Sequence, residues 1–284
     1  VPDTLTVAAT LAQARAAGVD RLDAQWLLRH LLQRPRSWLL AHDDHVLPPG
    51  AAAAWPALLA RRAAGEPLAY VVGECNFCGL ALAVSPDVLV PRPETEELVR
   101  WALACASGAP EATAIDLGTG SGAVALALKQ QWPTAHVTAT DASAPALAQA
   151  AANARRLGLD VAFAAGDWWQ AVPGRRFGLA VSNPPYIAAG DPHLAALQHE
   201  PQQALTPGGD GLDALRHIVA GAPQHLLPGA WLLLEHGHDQ GAAVRGLFQQ
   251  HGFEQAQTRH DMADLPRCTG ARWPGVNPYR SGAA

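Results

Sequence analysis

Residues 113–122, TAIDLGTGSG, decide the fold of this chain. A short apolar run, TAIDL, meets a glycine-rich turn at Gly118, Gly120 and Gly122, and an apolar segment suited to a helix continues to Gln131. Glycine takes positive φ and lets a ligand approach the backbone, while the helix N-terminus that follows offers unpaired N–H groups. A nucleotide-like cofactor fits such a cradle. The G-x-G-x-G spacing departs from the dinucleotide pattern G-x-G-x-x-G, and the Gly-Lys-Ser/Thr of a phosphate-binding loop is absent. A tight packing turn uses the same glycines, so the decision passes to the neighbouring strands.

Those strands alternate with helices. HVTATD, VAFAAGD, FGLAVS and GAWLLLEHG read as short buried strands, with helices over residues 122–131, 144–157 and 212–222. The pattern predicts an α/β fold, a Rossmann-like, doubly wound, mostly parallel sheet that binds ligands at the carboxyl ends of its strands. Asp141 closes the second strand about 20 residues after the glycines, where a carboxylate accepts both ribose hydroxyls. Asp167 and Trp168 follow the third, offering a carboxylate for an adenine amine and an indole for the ring face. Trp169 reads as core or rim rather than as a wall for the ligand. The fourth strand runs into Ser182–Ile187, SNPPYI. Pro184 and Pro185 have no N–H and cannot continue a ladder, so they leave carbonyls that only accept. With the Asn183 side-chain oxygen beside them, the corner suits both hydrogens of a planar NH2 group, and Tyr186 supplies an aromatic wall. A strand-ending turn is the plain alternative for the same residues.

A chain of 284 residues exceeds what one core usually holds, which predicts two domains. From Thr4 to about Gly65, apolar positions such as Leu22, Trp26, Leu27, Leu31 and Leu32 recur at helical steps, with Asp20 and Asp23 at a helix start. Between Pro67 and Pro93 the period drops to two, through Phe77, Leu80, Leu82, Val84, Val88, Leu89 and Val90. PRPETEELVRWALA then opens a helix, with Thr95 a candidate cap. The expected organisation is a helical domain over residues 1–70, a β-hairpin linker over 71–93 and a larger domain over 94–284.

Composition excludes several classes. The chain is 49% hydrophobic and 16% charged, which indicates a globular protein. Its four cysteines are too few for a disulfide framework, and Cys75-x-x-Cys78 lacks the second ligand pair of a zinc site. No run of ~18 apolar residues and no cationic, apolar leader precedes the helices, so a cytoplasmic chain without membrane contact is expected. A net charge of -5 disfavours a phosphate-tracking surface, and no stable nucleic-acid binding is expected. Glu235, His236 and His238 read as loop residues rather than metal ligands, and no metal is expected.

Taken together, GECNFCGLALAVSPDVLVPRPETEELV, DLGTGSGAVALAL, GDWW, VSNPPYI, EPQQALTPGGDGLDALR and PGAWLLLEHGHDQGAAVR resemble the peptide chain release factor glutamine methyltransferases. These are class I S-adenosylmethionine-dependent enzymes with an NPPY motif. The resemblance implies methylation of the glutamine side-chain amide in the Gly-Gly-Gln loop of class 1 release factors, with S-adenosylhomocysteine as product. It implies that Gly118, Thr119, Gly120, Ser121 and Gly122 line the methionine portion of the cofactor, Asp141 its ribose, and Asp167 and Trp168 its adenine. Asn183, Pro184, Pro185 and Tyr186 then hold the glutamine, with Asn183, Pro184 and Tyr186 as the catalytic set and Asn183 also beside the cofactor. By the same resemblance Glu200 either supports the site from behind or belongs to the substrate loop, and the helical N-terminal domain serves substrate recognition. The family's Arg-Asp-x-x-Gly motif is altered here, since RHDMADLPR puts Asp264 at the glycine position. From Ala271 onward, ARWPGVNPYRSGAA has no counterpart.

The residues alone leave rivals open. An amino-methyltransferase acting on a flipped nucleobase uses the same corner. A nicotinamide dehydrogenase shares the sheet but not the glycine spacing, and a non-catalytic module binds the cofactor without transfer. His193 and His199 flank the loop after NPPY and read as solvated, and Glu94 and Glu96 favour a helix start.

Overall fold

A computed structural model describes residues 5–106 and 112–275. The chain divides into two compact units, Val1–Glu74 and Cys75–Ala284.

The first unit is helical: α1 (Val7–Ala16), α2 (Arg21–Leu32), α3 (Arg36–Ala41), α4 (Pro49–Ala63) and α5 (Leu68–Val72). Asp20 caps α2 by accepting from the Leu22 N–H at 2.7 Å. The buried residues of α2 are Ala24, Leu27 and Leu28, which pack with Ala14, Leu39 and Trp55, and Gln25, whose Oε1 accepts from Arg36. Leu22 and Trp26, expected among them, are 51% and 50% exposed. The reason is angular: with about 100° per residue, positions 24, 27, 28 and 31 share one side, and 22 and 26 fall on the other. Trp26 is instead covered by the Arg29 guanidinium, 3.8 Å from its ring centroid.

The second unit opens with a hairpin, β1 (Glu74–Phe77) and β2 (Leu80–Ala83), turned at Cys78 and Gly79 with φ of 49° and 80°. Positive φ at both central residues matches the twist of the flanking strands. The period-two segment expected across residues 67–93 is therefore shorter, because α5 occupies its start and Val88–Val90 lie outside any strand. Val90 spends its N–H on the Glu200 carboxylate, 3.1 Å away, rather than on a ladder.

The main sheet has seven strands in the order β5-β4-β3-β6-β7-β9-β8. They are β3 (Thr113–Leu117), β4 (His136–Asp141), β5 (Ala162–Ala165), β6 (Phe177–Ser182), β7 (Leu226–Glu235), β8 (Glu254–His260) and β9 (Pro266–Arg272). The strands from β5 to β7 pair in parallel, and β9 lies antiparallel to both β7 and β8. Helices α6 (Glu96–Ala106), α7 (Ala123–Gln131), α8 (Ala144–Leu157), α9 (Asp213–His225) and α10 (Gly241–Gln250) complete the unit. Residues from α6, α7 and α8 share one core with Ala114, Leu179, Val181 and Leu233, whereas those from α9 and α10 share another with Ile115, Ala180, Leu232 and Leu234. Alternate strand residues thus feed opposite cores, which is why the strands read as unbroken apolar runs.

The antiparallel pair β8–β9 went unread in the sequence. Strand β8 is polar, and β9 carries Gly270, where an added Cβ would lie 2.4 Å from Leu233 and 2.8 Å from Trp101. Part of the unmatched tail belongs here: Ala271 and Arg272 end β9, and Trp273 packs 5.2 Å from Phe253. Residues 276–284 of that tail lie outside the described residues. Among the described residues, no helix is long and apolar enough to cross a membrane.

Candidate functional site

The strand order reverses between β3 and β6, and the carboxyl ends of β3 to β6 surround one cavity. Register aligns them: Leu117 pairs with Thr140 and with Ser182, and Asp141 with Ala165. The glycine turn is pinned from below by Asp116, whose Oδ2 accepts from Thr119 Oγ1 at 2.6 Å and from the Ala125 N–H at 3.1 Å. Burial pushes the Asp116 carboxyl up to about 7, against those two donors. Gly118, Gly120 and Gly122 take φ of 73°, 57° and 87°. A Cβ on Gly118 would meet the Trp168 ring at 3.1 Å and one on Gly122 would press on Ala150, but one on Gly120 would meet nothing within 4 Å. Two of the glycines serve close packing, and Gly120 leaves its space open.

Asp141 Oδ2 accepts from the Gly120 N–H at 2.9 Å and Oδ1 from the Ser143 N–H at 2.8 Å. Burial raises its pKa, and these backbone donors pull the other way. After β5 the two tryptophans part. Trp168 takes φ of 46° and lines the cavity beside Asp167. A bulky residue held in the left-handed region marks a site where the surroundings override local preference. Trp169 is core: its Nε1 donates to the Ile218 carbonyl at 2.8 Å, and its ring stacks on His225 at 5.0 Å. The cavity measures about 340 Å³ and is also bounded by Asp87–Leu89, Ser121, Gln203 and Ala204. That volume lies within the usual ~300–1,000 Å³ of small-molecule sites.

At the end of β6, Ser182 Oγ donates to the Leu117 carbonyl at 2.6 Å and fixes the start of the NPPY corner. Asn183 and Pro185 line the cavity. Asn183 Nδ2 donates to Thr95 Oγ1 at 3.2 Å, which commits its NH2 group and turns Oδ1 away from Thr95. Pro184 is buried and outside the cavity lining. Tyr186 also lies outside the lining: its hydroxyl donates to Glu235 Oε1 at 3.3 Å, and its carbonyl accepts from Gln240 Nε2 at 2.9 Å. An added Cβ on Gly211 would stand 2.3 Å from that carbonyl, so the backbone of the corner is packed hard against the following loop.

Two buried acids support the corner. Glu200 pairs with Arg92 and accepts from the Val90 N–H, tying residues 90–92 to the loop whose Pro201, Gln203 and Ala204 face the cavity. Glu235, at the end of β7, is 1% exposed, and burial pushes its carboxyl up to about 7. Thr95, expected as a cap, ends a tight turn over Pro93–Thr95 and lines the cavity, while α6 begins one residue later. Its place in PRPETE was the only signal of this role.

The remaining candidates lie elsewhere. His236 is buried, donating through Nδ1 to the Gly237 carbonyl and accepting through Nε2 from Thr269, with burial lowering its pKa. His238 and His193 are exposed, and His193 pairs with Asp191. Glu94 is exposed, and Glu96 accepts from the Cys78 N–H. Burial pushes the Cys78 thiol up to about 11, which keeps it unreactive. Among the described residues, no group of three or more His, Cys, Asp and Glu side chains is placed to hold a metal. Asp264 takes φ of 60°, a left-handed conformation that glycine adopts more readily.

Comparison with known proteins adds a second line. Residues 5–73 match the family model described as PrmC N-terminal domain, and residues 102–212 the methyltransferase small domain. A release factor glutamine methyltransferase of Bordetella pertussis is 50% identical over 256 residues, 89% of this chain and 95% of that protein. One of Xylella fastidiosa is 50% identical over 268 residues, 93% of this chain and 98% of that protein. The solved Thermus thermophilus 16S rRNA N2 G1207 methyltransferase, in complex with AdoMet and guanosine, shares the fold with a TM-score of 0.54 at 20% identity, covering 70% of this chain and 49% of that one.

Proposed function

The chain belongs to the release factor glutamine methyltransferase family, and on that premise we propose that its cavity holds S-adenosylmethionine with the methyl group facing a glutamine side-chain amide. The enzyme transfers that methyl to N5 of the glutamine in the Gly-Gly-Gln motif of class 1 peptide chain release factors, modulating translation termination, and releases S-adenosylhomocysteine.

The residues present fit the cofactor. The space in front of Gly120 admits the methionine portion between Gly118 and Gly122, with Thr119 and Ser121 in the same turn. Asp141, already an acceptor at the sheet end, takes the ribose hydroxyls, and Asp167 and Trp168 take the adenine amine and ring. When bound, S-adenosylmethionine supplies a methyl group on a positively charged sulfur, already a strong electrophile.

The chain's task is to prepare the weak partner. An amide nitrogen is a poor nucleophile because its lone pair is delocalised into the carbonyl. Acceptors at Asn183 Oδ1 and the Pro184 carbonyl hold its two N–H bonds, turn the lone pair toward the methyl and favour partial pyramidalisation. Placement of this kind contributes several kcal/mol. The nitrogen proton becomes acidic only after transfer, so no dedicated base is needed beforehand. The observation that carries this reading is the Asn183–Thr95 hydrogen bond, which leaves Oδ1 as the free acceptor at the corner. Tyr186 acts from behind the corner through Glu235.

We assign the helical segment, residues 1–70, to gripping the release factor, residues 71–93 to the connection and residues 94–284 to catalysis. The reaction belongs to the cytoplasm and involves neither a metal nor stable nucleic-acid binding. The test is transfer of labelled methyl from S-adenosylmethionine to a purified release factor, beside a copy with the Gly-Gly-Gln glutamine replaced and beside unmethylated DNA. Label on the intact release factor alone supports the reading. Label on DNA alone means that the corner holds a nucleobase.

A further inference from the structure

Two of the stretches that mark the family, EPQQALTPGGDGLDALR and PGAWLLLEHGHDQGAAVR, contribute no group to the transfer step. Both converge on the peptide that follows Tyr186. Gln240 is the residue before α10, a position where Ser, Thr, Asp or Asn usually caps a helix, and its side chain makes no cap bond. It reaches back instead: Oε1 accepts from the Gly237 N–H at 2.9 Å, and Nε2 donates to the Tyr186 carbonyl at 2.9 Å. An N–H only donates and a carbonyl only accepts, so the amide fits one way round. From the other stretch, the Leu205 carbonyl accepts from the Ile187 N–H at 3.0 Å. That N–H and the Tyr186 carbonyl belong to one planar peptide, which is thus held at both edges. Gly211 takes φ of 81° beside the same carbonyl, and an added Cβ would run into it and stand 3.0 Å from Gln240 Nε2.

We propose that Gln240 is a positioning residue for the amide transfer, and that Gly211 keeps open the space in which it works. Gln240 lies outside the cavity lining and reaches the corner through the Tyr186 carbonyl. Upstream, the corner is fixed by β6, where Ser182 pairs with Leu117 and Leu234 and its Oγ donates to the Leu117 carbonyl. Between the two anchors stand Asn183, Pro184 and Pro185. Proline fixes its own φ and confines the residue before it to extended backbone, so Asn183 and Pro184 are both restricted. With the ends pinned, the Pro184 carbonyl and Asn183 Oδ1 keep one direction. Loss of the downstream anchor frees the peptide after Tyr186 to rotate and the acceptors to drift with it. This inference rests on the proposed role of Asn183 and Pro184 as acceptors and deepens it by naming what aims them.

The hold at the carbonyl is the firmer of two on Tyr186. Its hydroxyl lies 3.3 Å from Glu235 Oε1, beyond the usual ~2.5–3.0 Å of an O–H···O bond, whereas 2.9 Å is an ordinary N–H···O length. Helix α10 does not need the Gln240 side chain, since the Val244 N–H takes the Gln240 backbone carbonyl at 3.0 Å whatever the residue. The two ends of the side chain can therefore be tested apart. A glutamate keeps the acceptor for Gly237 but sets a carboxylate oxygen against the Tyr186 carbonyl, and a methionine of similar length keeps neither bond.

Variants of the full-length enzyme, assayed on intact release factor for kcat, KM and cofactor affinity, test the inference. Gln240→Glu is expected to lower kcat by about 10²-fold, the loss that a misplacement of ~1 Å produces, with KM and cofactor affinity unchanged. Gln240→Met loses less, about 10-fold, because it removes one hydrogen bond without adding repulsion. Gly211→Ala displaces the same carbonyl, so the Gly211→Ala/Gln240→Met double variant loses no more than the worse single one. Should Gly211→Ala fail to fold, the two Gln240 variants decide. Wild-type kcat in Gln240→Glu beside an impaired Gln240→Met means that only the Gly237 bond matters and overturns the inference. Equal losses of kcat and cofactor affinity, or single losses that multiply in the double variant, overturn it too. In each case a slow Asn183→Ala leaves the amide grip standing, whereas wild-type turnover in Asn183→Ala overturns both.

Discussion

The proposed cofactor cradle and the NPPY corner share one cavity but are built in different ways. The cradle is tied over shorter stretches: Asp116 holds Thr119 three residues on and Ala125 nine on, and Asp141 holds Ser143 two residues on and Gly120 across 21 positions. The corner depends on distant chain. Asn183 leans on Thr95 across 88 positions, Tyr186 on Glu235 across 49, and the facing loop is held by Glu200 bonding Val90 across 110. A site made of local turns binds, because its donors and acceptors form with the strands themselves. A site assembled from remote elements can orient a substrate only after the whole sheet is in place, and small changes behind it reach the chemistry.

That contrast is open to direct attack, beginning with the corner. Asn183→Ala is expected to lower kcat by about 10²- to 10³-fold, as loss of one preorganised polar group does, with cofactor affinity nearly unchanged. Equal losses in kcat and affinity, by steady-state kinetics and calorimetric titration, would merge the two regions into one. Asp141→Asn should do the reverse: cofactor affinity falls roughly 10- to 100-fold through the lost charge-assisted hydrogen bonds, and kcat at saturating cofactor stays near wild type.

Each region also contains one buried carboxyl pushed up to about 7, Asp116 in the cradle and Glu235 behind the corner. The folded chain holds these protons more tightly than the unfolded chain. The stability they contribute is therefore complete below the ordinary carboxylate range and is lost as pH rises through about 7. Urea midpoints of the ligand-free protein should fall over that interval, and Glu235→Gln should remove only the corner's share. A midpoint that climbs with pH contradicts the sign.

The smallest effect is expected in the turn between β8 and β9. Asp264 sits at φ of 60°, and its bond to His260 is on the surface, so Asp264→Gly should stabilise by about 1 kcal/mol or less through relief of the left-handed backbone. Loss of stability in chemical denaturation would mean that the Asp264 side chain matters more than its backbone.

How much of this was legible follows the same division. The glycine turn, Asp141, the split of Trp168 from Trp169 and the parallel core could be read because periodicity and turn chemistry are properties of neighbours. Thr95 looked like a helix cap, since a threonine before two glutamates has that local meaning, and only the approach of β6 turns it into the partner of Asn183. Val88–Val90 looked like a strand, and the Glu200 carboxylate supplies from afar the partner that a strand would have supplied nearby. Strand β9 was hidden by Gly270, whose missing side chain is dictated by Trp101 and Leu233 packing against it. Leu22 and Trp26 were misjudged for a simpler reason: hydrophobicity marks a helix, and only the angle around it marks the buried side.

The most direct measurement is the location of the methyl group. A class 1 release factor incubated with this enzyme and S-adenosylmethionine would be digested and its Gly-Gly-Gln peptide fragmented in a mass spectrometer. The account predicts one added methyl on the glutamine side-chain nitrogen, formed about 10²- to 10³-fold more slowly when Asn183→Ala enzyme is used. A methyl found on another residue, or an unmodified peptide beside methylated nucleic acid, would contradict it.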